Sequence, residues 1–213
     1  MCKGLGMTIG ITGGIGAGKS VVTDYLRAKG YGVVDADEAA REAVAPGEPA
    51  LLSLVAAFGA GILHGDGTLD RARLSSLAFA DDDKARLLND ITHADIESRI
   101  AKKLRALGAA SEPYHQAADA EAGSPVFLSA PLLFESGLDR MCGEVWLVAA
   151  PEDVRIARAV SRGGLTRDEA RARAARQMGE GDRRARADVV IENVGGKDEL
   201  YRAVDKLLAG RLG

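Results

Sequence analysis

The sequence predicts an α/β fold of three layers, α/β/α, built on a five-stranded parallel sheet with helices on both faces. Three observations predict it. Five short apolar runs rich in β-favouring residues recur along the chain, at residues 7–12, 31–35, 126–130, 144–149 and 189–192. Helical or turn-rich sequence separates each run from the next, and continuous apolar runs of this kind suit strands buried on both faces. A glycine-rich loop stands between the first run and the first helical segment.

In chain order, residues 7–12 read as the first strand, and Met7 is expected to be an alternative start because 1–6 precede that strand. Gly4, Gly6 and Gly10 break the N-terminal apolar run, which leads straight into the loop, so no signal peptide is expected there. Residues 19–29 carry Val21, Val22, Tyr25 and Leu26 at helical spacing. Between the second and third strands, 49–58, 71–79 and 84–107 are helix candidates, with a glycine-rich turn at 59–67. That is too much chain for a simple crossover and predicts a helical subdomain over about 59–108. Residues 109–125, rich in Ala, Ser, Gly and Pro without a period, read as an exposed loop insertion. A length of 213 residues suits one domain, 1–213, with its core at about 7–58 and 126–213.

Composition narrows the function classes. With 28 basic against 31 acidic residues the formal charge is −3, which gives no overall field to gather nucleic acid or anionic lipid. Neither a nucleic-acid nor a membrane partner is expected, and no segment approaches membrane-spanning length. Cys2 and Cys142 are the only cysteines, so a disulfide framework is not expected and a reducing cytoplasm fits.

Gly13-Gly14-Ile15-Gly16-Ala17-Gly18-Lys19-Ser20 satisfies G-x-x-x-x-G-K-[ST], the phosphate-binding P-loop. A strand before it and an amphipathic helix after it point backbone N–H groups and a helix N-terminus at one spot, where a polyphosphate fits. Glycines let the backbone approach phosphate oxygens closely. The loop amides from Gly14 to Val21 are therefore the candidate triphosphate contacts, Lys19 can reach the β- and γ-phosphates, and Ser20 can ligate Mg²⁺. Asp35 and Asp37 follow the second strand, at the edge where open α/β sheets bind ligands. One carboxylate would stand near the metal and the other on an acceptor hydroxyl, while a helix N-cap is an equal reading of the pair. Residues 193–196 follow the last strand, where Asn193 and Gly195 either hold adenine or make an ordinary turn.

The run 12–20, then Val34-Asp35-Ala36-Asp37 with Ala40-Arg41, then Pro46-Gly47 resembles the dephospho-coenzyme A kinase family. Also similar are Phe58-Gly59, 66–71, the region around His93, Pro131-Leu132-Leu133-Phe134-Glu135, and 187–195, so the resemblance covers nearly all of the chain from Met7. It implies a P-loop kinase of adenylate-kinase-like architecture that transfers the γ-phosphoryl of ATP to the 3′-hydroxyl of dephospho-coenzyme A. It further implies Asp37 in the acceptor-side catalytic role, Arg41 on the coenzyme A substrate, and His93, Pro131 and Leu132 on the substrate side. Asp35 joins Ser20 as a metal-side candidate.

Between Arg155 and Arg186 stand ten arginines against four acidic residues, with no lysine. A solvated helix is the ordinary reading of such a run, and a nucleic-acid patch lacks the interleaved aromatics it would need. The third reading is a lid over about 158–186 whose arginines neutralise the moving phosphoryl group and exclude water. Arg158, Arg162 and Arg183 match the family's pattern. Gly163-Gly164 breaks the helix, and Thr166 with Glu169 spells a capping box for the next one.

The chain departs from the family at three places. Ala94 follows His93 where the family usually has proline, Ser129-Ala130 stands where an acidic residue often precedes Pro-Leu-Leu, and 109–125 is longer than usual. The second departure removes a metal ligand of the Walker-B kind from that strand. Two other functions compete: a P-loop kinase for another nucleoside, nucleotide or small alcohol, and a nucleotide-dependent switch or ATPase. The sequence leaves the oligomeric state open.

Overall fold

The computed structural model describes residues 7–78, 80–110 and 124–212. Five strands, β1 (Thr8–Thr12), β2 (Val33–Asp35), β3 (Val126–Ser129), β4 (Glu144–Ala149) and β5 (Val189–Glu192), form one sheet in the order β2-β3-β1-β4-β5. β1 pairs in parallel with β3 and with β4, and β4 in parallel with β5. The five apolar runs thus become the five strands of a parallel sheet. β2 begins two residues later than expected, although Gly32 still accepts a hydrogen bond from Phe127 N–H at 2.9 Å.

Helices α1 (Lys19–Ala28), α2 (Ala36–Ala43), α3 (Pro49–Phe58), α4 (Arg71–Ala78) and α5 (Asp82–Ala110) lie between β1 and β3. After β4 come α6 (Glu152–Ser161), α7 (Arg167–Ala175) and α8 (Glu180–Arg186), and α9 (Lys197–Leu212) closes the chain. α5 starts before the expected residue 84 because the Asp81 carboxylate accepts from Asp83 N–H at 2.9 Å and caps it. The expected insertion at 109–125 lies mostly outside the described residues, as do Cys2 and Phe79.

The chain divides into two compact units, one up to Val34 and from Leu104 onward, the other Asp35–Lys103. In the first, Ile9, Ile11, Trp146 and Val148 point to one face of the sheet and pack with Val22 and Leu26 of α1 and Leu200, Val204 and Leu208 of α9. Trp146 is fully buried, its indole N–H donates to Glu144 at 2.7 Å, and the Arg211 guanidinium lies 5.2 Å from its ring centre. The other face of β1 is closed so tightly over Gly10 that an added Cβ would stand 2.8 Å from both Cys142 Sγ and Leu133. Burial, with Asp139 adding to it, pushes the Cys142 thiol up to about 12.

The second unit, which spans more chain than the 59–108 expected for a helical subdomain, has its own core of Val44, Ala50, Leu54, Ile62 and Leu74. Its glycine-rich turn closes on a bridge between Leu63 and Leu69, with His64 N–H donating to Thr68 O at 2.8 Å. Pro49 opens α3 at the one position where its missing N–H costs nothing.

Candidate functional site

β1 delivers the loop 13–18 to the head of α1, where Ala17 N–H turns back to Gly14 O at 2.9 Å. Gly16 sits at φ 74°, in the left-handed region, and a Cβ there would lie 2.0 Å from the Arg155 carbonyl oxygen. At Gly14 the reason for glycine is different: a Cβ would come within 2.6 Å of a guanidinium nitrogen of both Arg155 and Arg183. The loop is thus faced by two cations.

Both cations are buried, Arg155 at 6% and Arg183 at 2% exposure. Arg155 Nε donates to Ala150 O at 3.0 Å, which aims its other nitrogens at the loop. Arg183 Nε and Nη1 find no hydrogen-bond partner among the described residues, and Glu180 approaches only to 3.5 Å. Burial pulls the Arg183 guanidinium below its ordinary range and Arg155 adds to that, while Glu180 and Glu135 oppose it. Buried guanidinium donors without acceptors are costly, and the natural remedy is an anion in the loop.

Lys19 Nζ donates to Ser129 Oγ at 2.6 Å, so the residue standing in place of the family's acidic one holds the P-loop lysine. Asn193 is buried at the end of β5, its Nδ2 donating to Ala17 O at 2.7 Å, and its own carbonyl accepts from Arg158 Nη1 at 2.9 Å. Beside it lies a pocket of about 140 Å³ walled by Gly18, Val21, Arg158, Arg162, Asn193 and Gly195, with Lys197 and Leu200. The first unit therefore brings together the loop from Gly14 to Val21 with Ser20 exposed at its helix end, Arg158, Arg162, Arg183, Asn193 and Gly195. Pro131 and Leu132 follow β3, and Leu132 is 45% exposed.

The other predicted site residues lie in the second unit. Asp35 Oδ1 accepts from Asp37 N–H at 2.9 Å and Glu38 N–H at 3.2 Å, so the N-cap reading holds for Asp35. The cap leaves Oδ2 outside those bonds, fixes the first turn of α2, and presents the Asp37 and Arg41 side chains exposed. His93, midway along α5, lies with Nδ1 3.1 Å from Glu97. A separate pocket of about 230 Å³ is lined by Val44, Leu54, Leu69, Leu74 and Leu88, with Arg71, Asn89 and Thr92 as polar groups.

Sequence reasoning passed over Arg155, Ser129 and Gln177. Arg155 was indistinguishable among ten arginines, though its place in the first turns of the helix after β4 was a signal. Ser129 ends a strand at the ligand edge, which was also a signal. Gln177 had none. The capping box at Thr166 and Glu169 and the break at Gly163 and Gly164, both at positive φ, are as expected.

A family model described as dephospho-CoA kinase matches residues 7–199. A dephospho-CoA kinase of Shouchella clausii is 43% identical over 203 residues, 95% of this chain and 98% of that one. One of Corynebacterium glutamicum is 42% identical over 203 residues, with 95% and 96% covered. A solved Thermus thermophilus structure is similar at a TM-score of 0.79 and 36% identity, covering 98% of this chain and all of its own. The solved dephospho-CoA kinase of Campylobacter jejuni shares the fold at a TM-score of 0.68 and 22% identity, covering 96% and 98%.

Proposed function

The chain belongs to the dephospho-coenzyme A kinase family, and from that premise we propose how its residues divide the transfer of the γ-phosphoryl of ATP to the 3′-hydroxyl of dephospho-coenzyme A. The observation that carries the reading is the pair of buried guanidiniums, Arg155 and Arg183, set against Gly14. Phosphoryl transfer runs through a loose transition state with charge spread over the peripheral oxygens, so catalysis is mostly positioning and charge neutralisation. Lys19, Arg155 and Arg183 supply that charge, and the loop amides cradle the β-phosphate. Arg158 and Arg162 line the pocket at Asn193 and Gly195, which takes the nucleoside end of ATP.

Asp37 orients the attacking hydroxyl and receives its proton. Arg41 meets a phosphate of the acceptor, His93, Pro131 and Leu132 lie on the acceptor side, and the apolar pocket at Leu54 and Leu74 suits an uncharged arm of the substrate. Among the described residues no group of three or more His, Cys, Asp or Glu side chains is placed to hold an ion. The donors fit an ion that brings water and phosphate oxygens of its own, since Ser20 offers a hydroxyl and Asp35 a carboxylate oxygen outside its cap. Ser20 in the first unit and Asp35 in the second are each assigned as a Mg²⁺ ligand, and the ion would offset the charge of the phosphates.

Among the described residues no helix is long and apolar enough to cross a membrane. The reading places the enzyme in the cytoplasm with small molecules as its partners and assigns it no nucleic acid. The chain forms a single kinase domain in which about 158–186 act as lid.

The test is ATP consumption with dephospho-coenzyme A, nucleosides, nucleoside monophosphates and shikimate, with product masses recorded. Turnover of another acceptor with none of dephospho-coenzyme A overturns the reading. For the acceptor side, Asp37→Asn is expected to lower kcat about 10²–10⁴-fold with a smaller change in KM for ATP, and near-wild-type kcat removes Asp37 from its role.

A further inference from the structure

The tip of the phosphate loop is fastened to the junction between α7 and α8. Ile15 N–H donates to Gln177 Oε1 at 2.9 Å, across 162 residues of chain. The Ile15 side chain packs into the cluster of Ile156, Ala159 and Ala170 that joins α6 to α7. Backbone and side chain of one loop residue are thus both held by the arginine-rich segment. The next residue of the junction is fixed from another side, because Met178 N–H donates to Glu135 Oε1 at 2.8 Å. Immediately beyond, Gly179 O accepts from Arg183 N–H at 3.0 Å in the first turn of α8, the helix that carries the Arg183 guanidinium to Gly14.

A neutral carboxamide neutralises no phosphate charge, and both it and a phosphate oxygen are acceptors, so they compete for any donor they share. Ile15 N–H stands among the loop amides expected from the sequence to face ATP, and here Gln177 takes it, which leaves the other loop amides to the phosphates.

We propose that Gln177 is a positioning residue for phosphoryl transfer: by holding Ile15 N–H it sets the loop tip and the root of α8 together, so that the loop and Arg183 meet the γ-phosphoryl as one piece. This rests on ATP occupying the loop.

Two full-length variants test it, Gln177→Met, of similar length without the acceptor, and Gln177→Glu, which keeps an accepting oxygen. Losing one neutral hydrogen bond is expected to lower kcat of Gln177→Met about three- to tenfold, with KM for dephospho-coenzyme A unchanged. Gln177→Glu is expected to recover kcat at saturating ATP, its added charge appearing as a raised KM for ATP. Wild-type kcat in Gln177→Met, or equal losses in the two variants, overturns the proposal. The wild-type protein supplies a readout independent of variant folding: amide hydrogen exchange at Ile15 is expected to be at least about tenfold slower than in an open chain without nucleotide, and to stay slow with a non-hydrolysable ATP analogue. Fast exchange at Ile15, or exchange accelerated by the analogue, sinks the anchor while leaving the kinase reading intact. Absence of dephospho-coenzyme A phosphorylation by the wild type defeats that reading instead.

Discussion

In the helical unit Asp35–Lys103 cations have partners close by: Arg99 bonds Glu48 and Asp95, and Lys103 reaches Glu42 at 2.7 Å. Around the phosphate loop Arg183 is more deeply buried than any of these, yet among the described residues Nε and Nη1 find no hydrogen-bond acceptor, Glu180 comes only to 3.5 Å, and Arg155 stands beside it with the same charge. Arg99 and Lys103 of the helical unit thus find their carboxylates within that unit. The loop region is left incomplete, and what would complete it is negative charge from a ligand. Stability and function should therefore separate between the two regions, since a site built to stabilise developing charge keeps its donors unsatisfied until substrate arrives.

The largest effect that can break this contrast is at Lys19. Lys19→Met is expected to lower kcat/KM about 10³-fold, and a loss below tenfold in a steady-state assay would remove the lysine from the transition state. Next comes Arg183→Met, expected to lower kcat about 10²-fold while the melting temperature without nucleotide holds or rises, because the buried guanidinium has only a loose ion pair with Glu180 at 3.5 Å to offset its desolvation. A protein that melts earlier but turns over normally would make Arg183 a structural cation like Arg99.

Arg99→Met is the mirror experiment. The pairs are one-quarter to one-third exposed, so solvent screening limits the loss to about 1 kcal/mol, seen as a melting temperature lower by a few degrees with kcat within about twofold. A large loss of kcat there would erase the distinction. The smallest effect is Thr166→Ala, which removes an exposed cap of α7 and is expected to cost about 1 kcal/mol or less, read as faster amide exchange in the first turn of that helix. Unchanged exchange would mean that the capping box contributes nothing to the segment.

Local patterns carried the reading where the cause is local. Apolar runs gave five strands, Pro49 and the Thr166 to Glu169 box gave helix starts, and the glycines of the loop gave its tight turn before α1. Asp35 was legible as a cap because a cap needs only the next three residues. The arginines show where this stops. Arg184 pairs with Glu192 at 2.6 Å and Arg186 with Asp139 at 2.9 Å, also lying over the Phe134 ring, while Arg167, Arg171, Arg173 and Arg176 are exposed. Which arginine turns inward depends on contacts far away along the chain, and the ten side chains look alike in sequence. Gln177 is the extreme case, since its partner is a backbone amide, which no residue type announces.

The placement of Trp146 has an optical consequence. It is the only tryptophan in the chain, it is fully buried on β4 in the sheet core, and the stretch Asp35–Lys103 contains neither tryptophan nor tyrosine. Indole fluorescence therefore follows loss of the sheet core without a native probe of its own kind in the helical unit, whereas far-ultraviolet circular dichroism follows helices in both. Denaturant curves recorded by the two signals would superimpose if the units come apart together and diverge if one melts first, with no label introduced.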